Sequence, residues 1–198
     1  MLHHKNNTAR AMSLIEVLVT LAVVSLIMMS ASNSVLALYK TNNTGTRALT
    51  QISSARSALT TLMTDMRSIA YGNDGSYPIV SMSAYSLTFF SNTPNSIGAT
   101  RFQYQINGTT LSRSQVSAGT PPTYSGMPVS ESLATYMNNS ANSISLFRYY
   151  DRNGIEVSDM NRVKDVASVL VSIDVLAPGM TTPFILTATT TLRNLKAL

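Results

Sequence analysis

The sequence predicts an α+β chain: a long N-terminal helix, transmembrane and then amphipathic, packed on an antiparallel β-sheet head. Three observations predict it. Residues 17–39 contain no Asp, Glu, Lys or Arg. Residues 48–69 carry an apolar stripe at alternating spacings of four and three. In the head, from residue 86 onward, the apolar period changes to two and turn signals recur.

The apolar run comes first. At 1.5 Å rise per residue, 17–39 make a helix of roughly 34 Å, enough to cross the hydrocarbon core of a bilayer. The preceding residues 1–11 hold His3, His4, Lys5 and Arg10 and no acid. That bias sets the N-terminus on the cytoplasmic side and exports the rest. Glu16 lies inside the apolar segment, where an unpaired carboxylate is costly, so it is a candidate functional residue. Two plainer readings compete: a simple anchor, or a secretory signal cut near Ser30-Ala31-Ser32.

The residues around that acid carry a resemblance. Ala11-Met12-Ser13-Leu14-Ile15-Glu16-Val17-Leu18-Val19 resembles the class III leader of type IV prepilins and type II secretion pseudopilins. Two positions depart from the family pattern: Ala11 stands for the usual Gly before the cut, and Met12 for the usual Phe. The resemblance implies cleavage by a prepilin peptidase between Ala11 and Met12 and N-methylation of Met12. It also implies that Glu16 acts as an assembly register, its charge offset by the N-terminal amine of a neighbouring subunit. Implied partners are other pilin or pseudopilin subunits and an inner-membrane assembly platform. The implied location is the bacterial inner membrane, single-pass with the N-terminus inside, and then a filament at the surface or in the periplasm.

Past the membrane, no proline occurs before Pro78, so one helix is free to continue. Residues 41–46, Thr-Asn-Asn-Thr-Gly-Thr, are poor helix material and predict a bend or fray. Ala48, Ile52, Ala55, Leu59, Leu62, Met66 and Ile69 then form the stripe, with Arg47, Arg56, Asp65 and Arg67 off it. So narrow a stripe suits a coiled-coil seam or, more often, a helix lying on its own sheet. Gly72 to Gly75 supply a glycine cap and turn, ending the helix near residue 71. The expected divisions are a leader at 1–11, a helix at 12–71 (transmembrane about 14–39, amphipathic about 46–71) and a head at 72–198.

In the head, strands are expected at 86–91, 101–106, 109–113, 144–150, 169–175 and 184–192. Asn107-Gly108 predicts a type I′ hairpin turn, and 117–130, rich in Gly and Pro, predicts a loop. Asp151-Arg152-Asn153-Gly154 reads as a hairpin turn, because it lacks the ligand spacing of a calcium loop. Its neighbours Asp159 and Asp165 read as solvated loop acids. The pattern also resembles, more diffusely, the minor pilins and J-type pseudopilins (the PilW and PulJ group). The features are the Asn107 to Arg113 hairpin, the helix end at 63–70 and the closing Leu192-Arg193-Asn194.

Composition excludes several chemistries. There is no cysteine, and His3 and His4 are the only histidines. Thiolate nucleophiles, disulfides, most transition-metal sites and the usual triads are therefore unsupported, and no cofactor or enzymatic activity is expected. Without Lys5 and Arg10 the chain keeps 12 basic and 9 acidic residues, a net of +3, too mild to argue for nucleic acid. Arg148-Tyr149-Tyr150 is the one stretch that suggests a stacking surface for DNA or glycan, although in a strand one tyrosine faces the core by default. The sequence thus predicts a minor pilin or pseudopilin, with a membrane-tethered DNA- or glycan-capturing module as the alternative.

Overall fold

The computed structural model describes residues 13–93, 98–120 and 123–192. The chain divides into two compact units, Met1–Gly45 and Thr46–Leu198. One helix, α1, runs Leu14–Arg67. Residues 41–46 are helical within it, against the expected bend or fray. The threonine hydroxyls have helical partners: Thr41 donates to Ala37 O and Thr44 to Lys40 O, each at 3.0 Å.

The helix ends at Arg67, four residues before the predicted stop. Ile69 pairs as a bridge with Ser91, and Ala70 N donates to Phe90 O at 3.0 Å. Sheet pairing therefore takes the backbone before the glycines are reached. Those glycines make the following turn, with Gly75 at φ +82° and its N–H donating to Gly72 O.

The head holds eight strands among the described residues, in two antiparallel meanders rather than the single sheet expected. The first is β1 (Ile79–Met82), β2 (Ser86–Asn92), β3 (Ala99–Asn107), β4 (Thr110–Ser117) and β5 (Val129–Ala134), in that order. The second is β6 (Phe147–Tyr150), β7 (Ser168–Val175) and β8 (Phe184–Thr191). β1 is not among the expected strands, and β5 begins inside the expected loop at 117–130.

The β3–β4 hairpin is present, with Asn107 opposite Thr110. Its two turn residues are Gly108 and Thr109, not Asn107 and Gly108. Only Gly108 has positive φ, +60°, which is the pattern of a type II′ turn and not type I′. Pairing Asn107 in the ladder moves the glycine to the first corner, where type II′ requires it.

A single main core joins the second half of α1 to both sheets. Ala55, Ala58, Leu62, Met63 and Met66 pack with Leu87, Phe89, Phe102 and Tyr104 of the first sheet, and with Val169, Val171 and Ile173 of the second. The two alanines are almost fully buried and let the strands approach the helix closely. The buried face is wider than the predicted stripe, since Ala58, Met63 and Asp65 join it. Asp65 is a correction: read as lying off the stripe, it is 8% exposed.

Asp65 is buried because two partners meet it. Its Oδ2 accepts from the Tyr104 hydroxyl at 2.6 Å and pairs with Arg113 Nη2 at 2.8 Å. Arg113 also bonds Glu131 at 2.9 Å and lies 4.5 Å from the Phe102 ring centroid. The helix is thus tied to β3, β4 and, through Arg113, β5 by one charged network. Burial and the adjacent Asp65 carboxylate push the Tyr104 hydroxyl far above its ordinary pKa, so it stays a donor.

The second sheet is completed by chain that is not strand. β6 pairs with β7 only from Ser168 to Val171. Along the rest of β7 that side is taken by 136–146. Ser172 N donates to Leu146 O, Asn138 N to Asp174 O and Leu176 N to Tyr136 O. The fully buried Asn139 side chain imitates a strand, accepting from Asp174 N at 3.0 Å and donating to Ser172 O at 2.7 Å.

Candidate functional site

The N-terminal part of α1 is the candidate site, and its geometry starts at Ser13. Glu16 N donates to Ser13 O at 3.0 Å and reaches Ser13 Oγ at 3.4 Å, while Val17 N donates to Ser13 O. Ser13 therefore starts the helix, and Glu16 falls three residues on, in its first turn. Ser-x-x-Glu is the spacing of a capping box, a signal legible in the sequence itself. An acid there also faces the positive end of the helix dipole. Among the described residues the Glu16 carboxylate has no ion-pair partner. Ala11 and Met12, the expected cleavage pair, lie outside the described residues.

Beyond Glu16 the helix surface is apolar on every side. Large side chains from Leu14 to Tyr39 are all exposed in the isolated chain, from 42% at Val17 to 81% at Leu14. A helix that is apolar all round needs an apolar surrounding, either lipid or other helices. Among the described residues α1 is the helix long and apolar enough to cross a membrane.

Four hydroxyls in this segment are internally satisfied. Thr20 donates to Val17 O at 2.9 Å, Ser25 to Leu21 O at 2.5 Å, Ser30 to Leu26 O and Ser34 to Ser30 O, both at 3.0 Å. Each needs no water, so these polar residues are tolerated in hydrocarbon at low cost. Glu16 is the one charged side chain between Leu14 and Tyr39.

These residues match a known pattern. Residues 6–32 fit the family described as the prokaryotic N-terminal methylation motif. The chain carries a class III signal. The match runs from residue 6 to residue 32, does not extend into the head, and supports a type IV pilin-like or pseudopilin subunit. No curated protein sequence matches the chain.

The head residues singled out from sequence are not brought together as a site. Tyr149 is 1% exposed and its hydroxyl donates to Ser83 O at 2.8 Å, so it belongs to the core. Arg148 and Tyr150 alternate with it along β6, leaving no tyrosine pair on one face. Asp151 Oδ1 accepts from Asn153 N and Ile155 N, both at 2.8 Å, and so holds the hairpin turn. Asp159 accepts from Asn161 N in the same way. Asp165 is not merely solvated, because Arg162 Nε donates to it at 2.6 Å.

One concavity of about 590 Å³ opens on the head beside β1 and β2. Tyr77, Phe90, Tyr124, Arg101 and Asp74 line it. Arg101 stands 5.9 Å from the Tyr124 ring centroid. The backbone N–H of Ser76, donating at 3.0 Å, holds the Asp74 carboxyl below the usual range.

Proposed function

We propose that the chain is a minor pilin or pseudopilin, a structural subunit that assembles through its N-terminal helix. The observation that carries this reading is the coincidence of three features in one segment. The methylation motif spans 6–32, the helix from Leu14 exposes apolar side chains all round, and Glu16 is the one charged residue on that surface as far as Tyr39.

In this reading a prepilin peptidase cuts between Ala11 and Met12 and the new N-terminus of Met12 is methylated. The mature subunit sits in the inner membrane with its N-terminus toward the cytoplasm. During assembly by the platform, residues 14–39 exchange lipid contacts for contacts with neighbouring helices, an exchange of like for like in apolar burial. Such an exchange has little intrinsic register, because one apolar surface slides on another. Glu16 supplies the register: its charge is compensated only where a neighbour's N-terminal amine lies beside it.

Two experiments test the reading. Intact mass of the mature protein should correspond to a chain beginning at methylated Met12; any other start overturns the cleavage assignment. Glu16→Val should leave the subunit in the membrane and abolish its recovery in sheared filaments or assembly complexes. Normal incorporation of that variant would sink the register role while leaving the anchor intact.

A further inference from the structure

Asp174 poses a problem that the fold does not solve by itself. It lies on β7 and is fully buried, yet no Lys, Arg or His stands within ion-pair distance among the described residues. Its side chain alternates with Ile173 and Val175, so it points away from the main core and toward the turn at 138–143. There Asn142 Nδ2 donates to Asp174 Oδ2 at 2.7 Å, and Asn138 Nδ2 stands 3.5 Å from the same oxygen. Asp174 Oδ1 is buried and has no hydrogen-bond partner. Two neutral amides stabilise a carboxylate but do not neutralise it, and the orphaned oxygen adds its own desolvation cost.

The surrounding turn is held by backbone hydrogen bonds. Asn142 N donates to Asn138 O at 3.0 Å, Ile144 N donates to Asn139 O at 2.9 Å, and Ser143 adopts φ +54°, a conformation side chains rarely favour. We propose that Asp174, Asn138 and Asn142 form a calcium site. An amide presents nitrogen or oxygen after a half-turn about its last bond. The two groups that now donate to Asp174 therefore become two oxygen ligands beside the carboxylate when a cation enters. The donor set is all oxygen, on a turn without imposed symmetry, which suits Ca²⁺ better than the strictly octahedral Mg²⁺. A single formal charge places the affinity at roughly 0.1–1 mM, the range of extracellular modules. Filling the site would fasten 138–143 to the half of β7 that β6 leaves unpaired. Asn142 is exposed and marks the side from which the ion enters.

The full chain, in detergent and stripped with EDTA, is melted with about 10 mM CaCl₂, about 10 mM MgCl₂, or NaCl of equal ionic strength. Calcium should raise Tm by about 3–5 °C, and the other two salts by less than about 1 °C. Asp174→Asn should lose the calcium response. Asn142→Asp, at the exposed position, adds a charged ligand and should tighten calcium binding by about tenfold in calorimetric titration. Equal shifts in all three salts would overturn the site. So would a wild-type chain that takes up no calcium while Asp174→Asn melts higher than wild type. If Asp174→Asn does not fold, calorimetry on wild type and Asn142→Asp decides: absence of calcium binding in both overturns the proposal.

Discussion

Replacing Asp65 with alanine tests whether one charged network holds the helix to the first sheet. The substitution removes the acceptor of the Tyr104 hydroxyl, at 2.6 Å, and the carboxylate paired with Arg113, at 2.8 Å. Tyr104 is 0% exposed, so its hydroxyl would be left without a partner, a cost of about 1–3 kcal/mol. The Arg113 side chain is 16% exposed and would keep only Glu131, itself 53% exposed, together with the Phe102 ring. Breaking a buried pair of this kind costs about 3–5 kcal/mol in total. For a head of this size that lowers Tm by roughly 10–15 °C. Glu131→Ala removes the exposed arm of the same network and should cost less than about 1 kcal/mol. The assay is thermal and urea unfolding of the full chain in detergent, followed by near-ultraviolet circular dichroism. A double-mutant cycle sharpens it. Tyr104→Phe should cost about 1 kcal/mol in the native background and nothing, or less than nothing, beside Asp65→Ala, because the orphan is then removed. If Asp65→Ala costs no more than Glu131→Ala, the network does not carry the helix–sheet contact.

Three further outcomes follow from the same geometry. Asn139→Ala removes two bonds to β7 and one to Ile144 O and should cost about 2–4 kcal/mol, read as a fall in urea midpoint with unchanged m-value. Gly108→Ala meets no neighbouring atom, so its cost of about 1 kcal/mol is purely that of φ +60° at the type II′ corner; Gly108→Asn, which tolerates that region, should cost less. The Tyr104 and Tyr149 hydroxyls are both pushed far up by burial, so the folded state retains two protons that the unfolded chain releases near pH 10. Their contribution is therefore fully present below pH 10 and lost as pH rises above it. Of the nine tyrosines, these two should show the 295 nm phenolate signal only as the head unfolds.

Much of the architecture was legible because each period is written locally. A charge-free run long enough to span a bilayer, a stripe of threes and fours, and alternation in β3 and β7 each follow from one helix or strand presenting one face to one environment. The strands without that pattern were missed. β1 is four residues long, and β5 is exposed along most of its length, so neither presents an alternating face. The candidate site was legible for the same reason: an acid inside an apolar run violates the pattern of its neighbours, and the violation is visible without any fold.

By itself, then, the sequence determined the class, the apolar anchor and the placing of Glu16 within it. Tertiary structure alone decided the rest. It divided the strands into two sheets, because 136–146 fills the half of β7 that β6 leaves bare. It turned Asp65 from a surface residue into a buried ion, because Tyr104 and Arg113, 39 and 48 positions further along the chain, arrive to meet it. It buried Asp174 beneath a turn of asparagines. A charge costs little in water and much in a core, and whether it meets a partner depends on distant residues brought together only by folding.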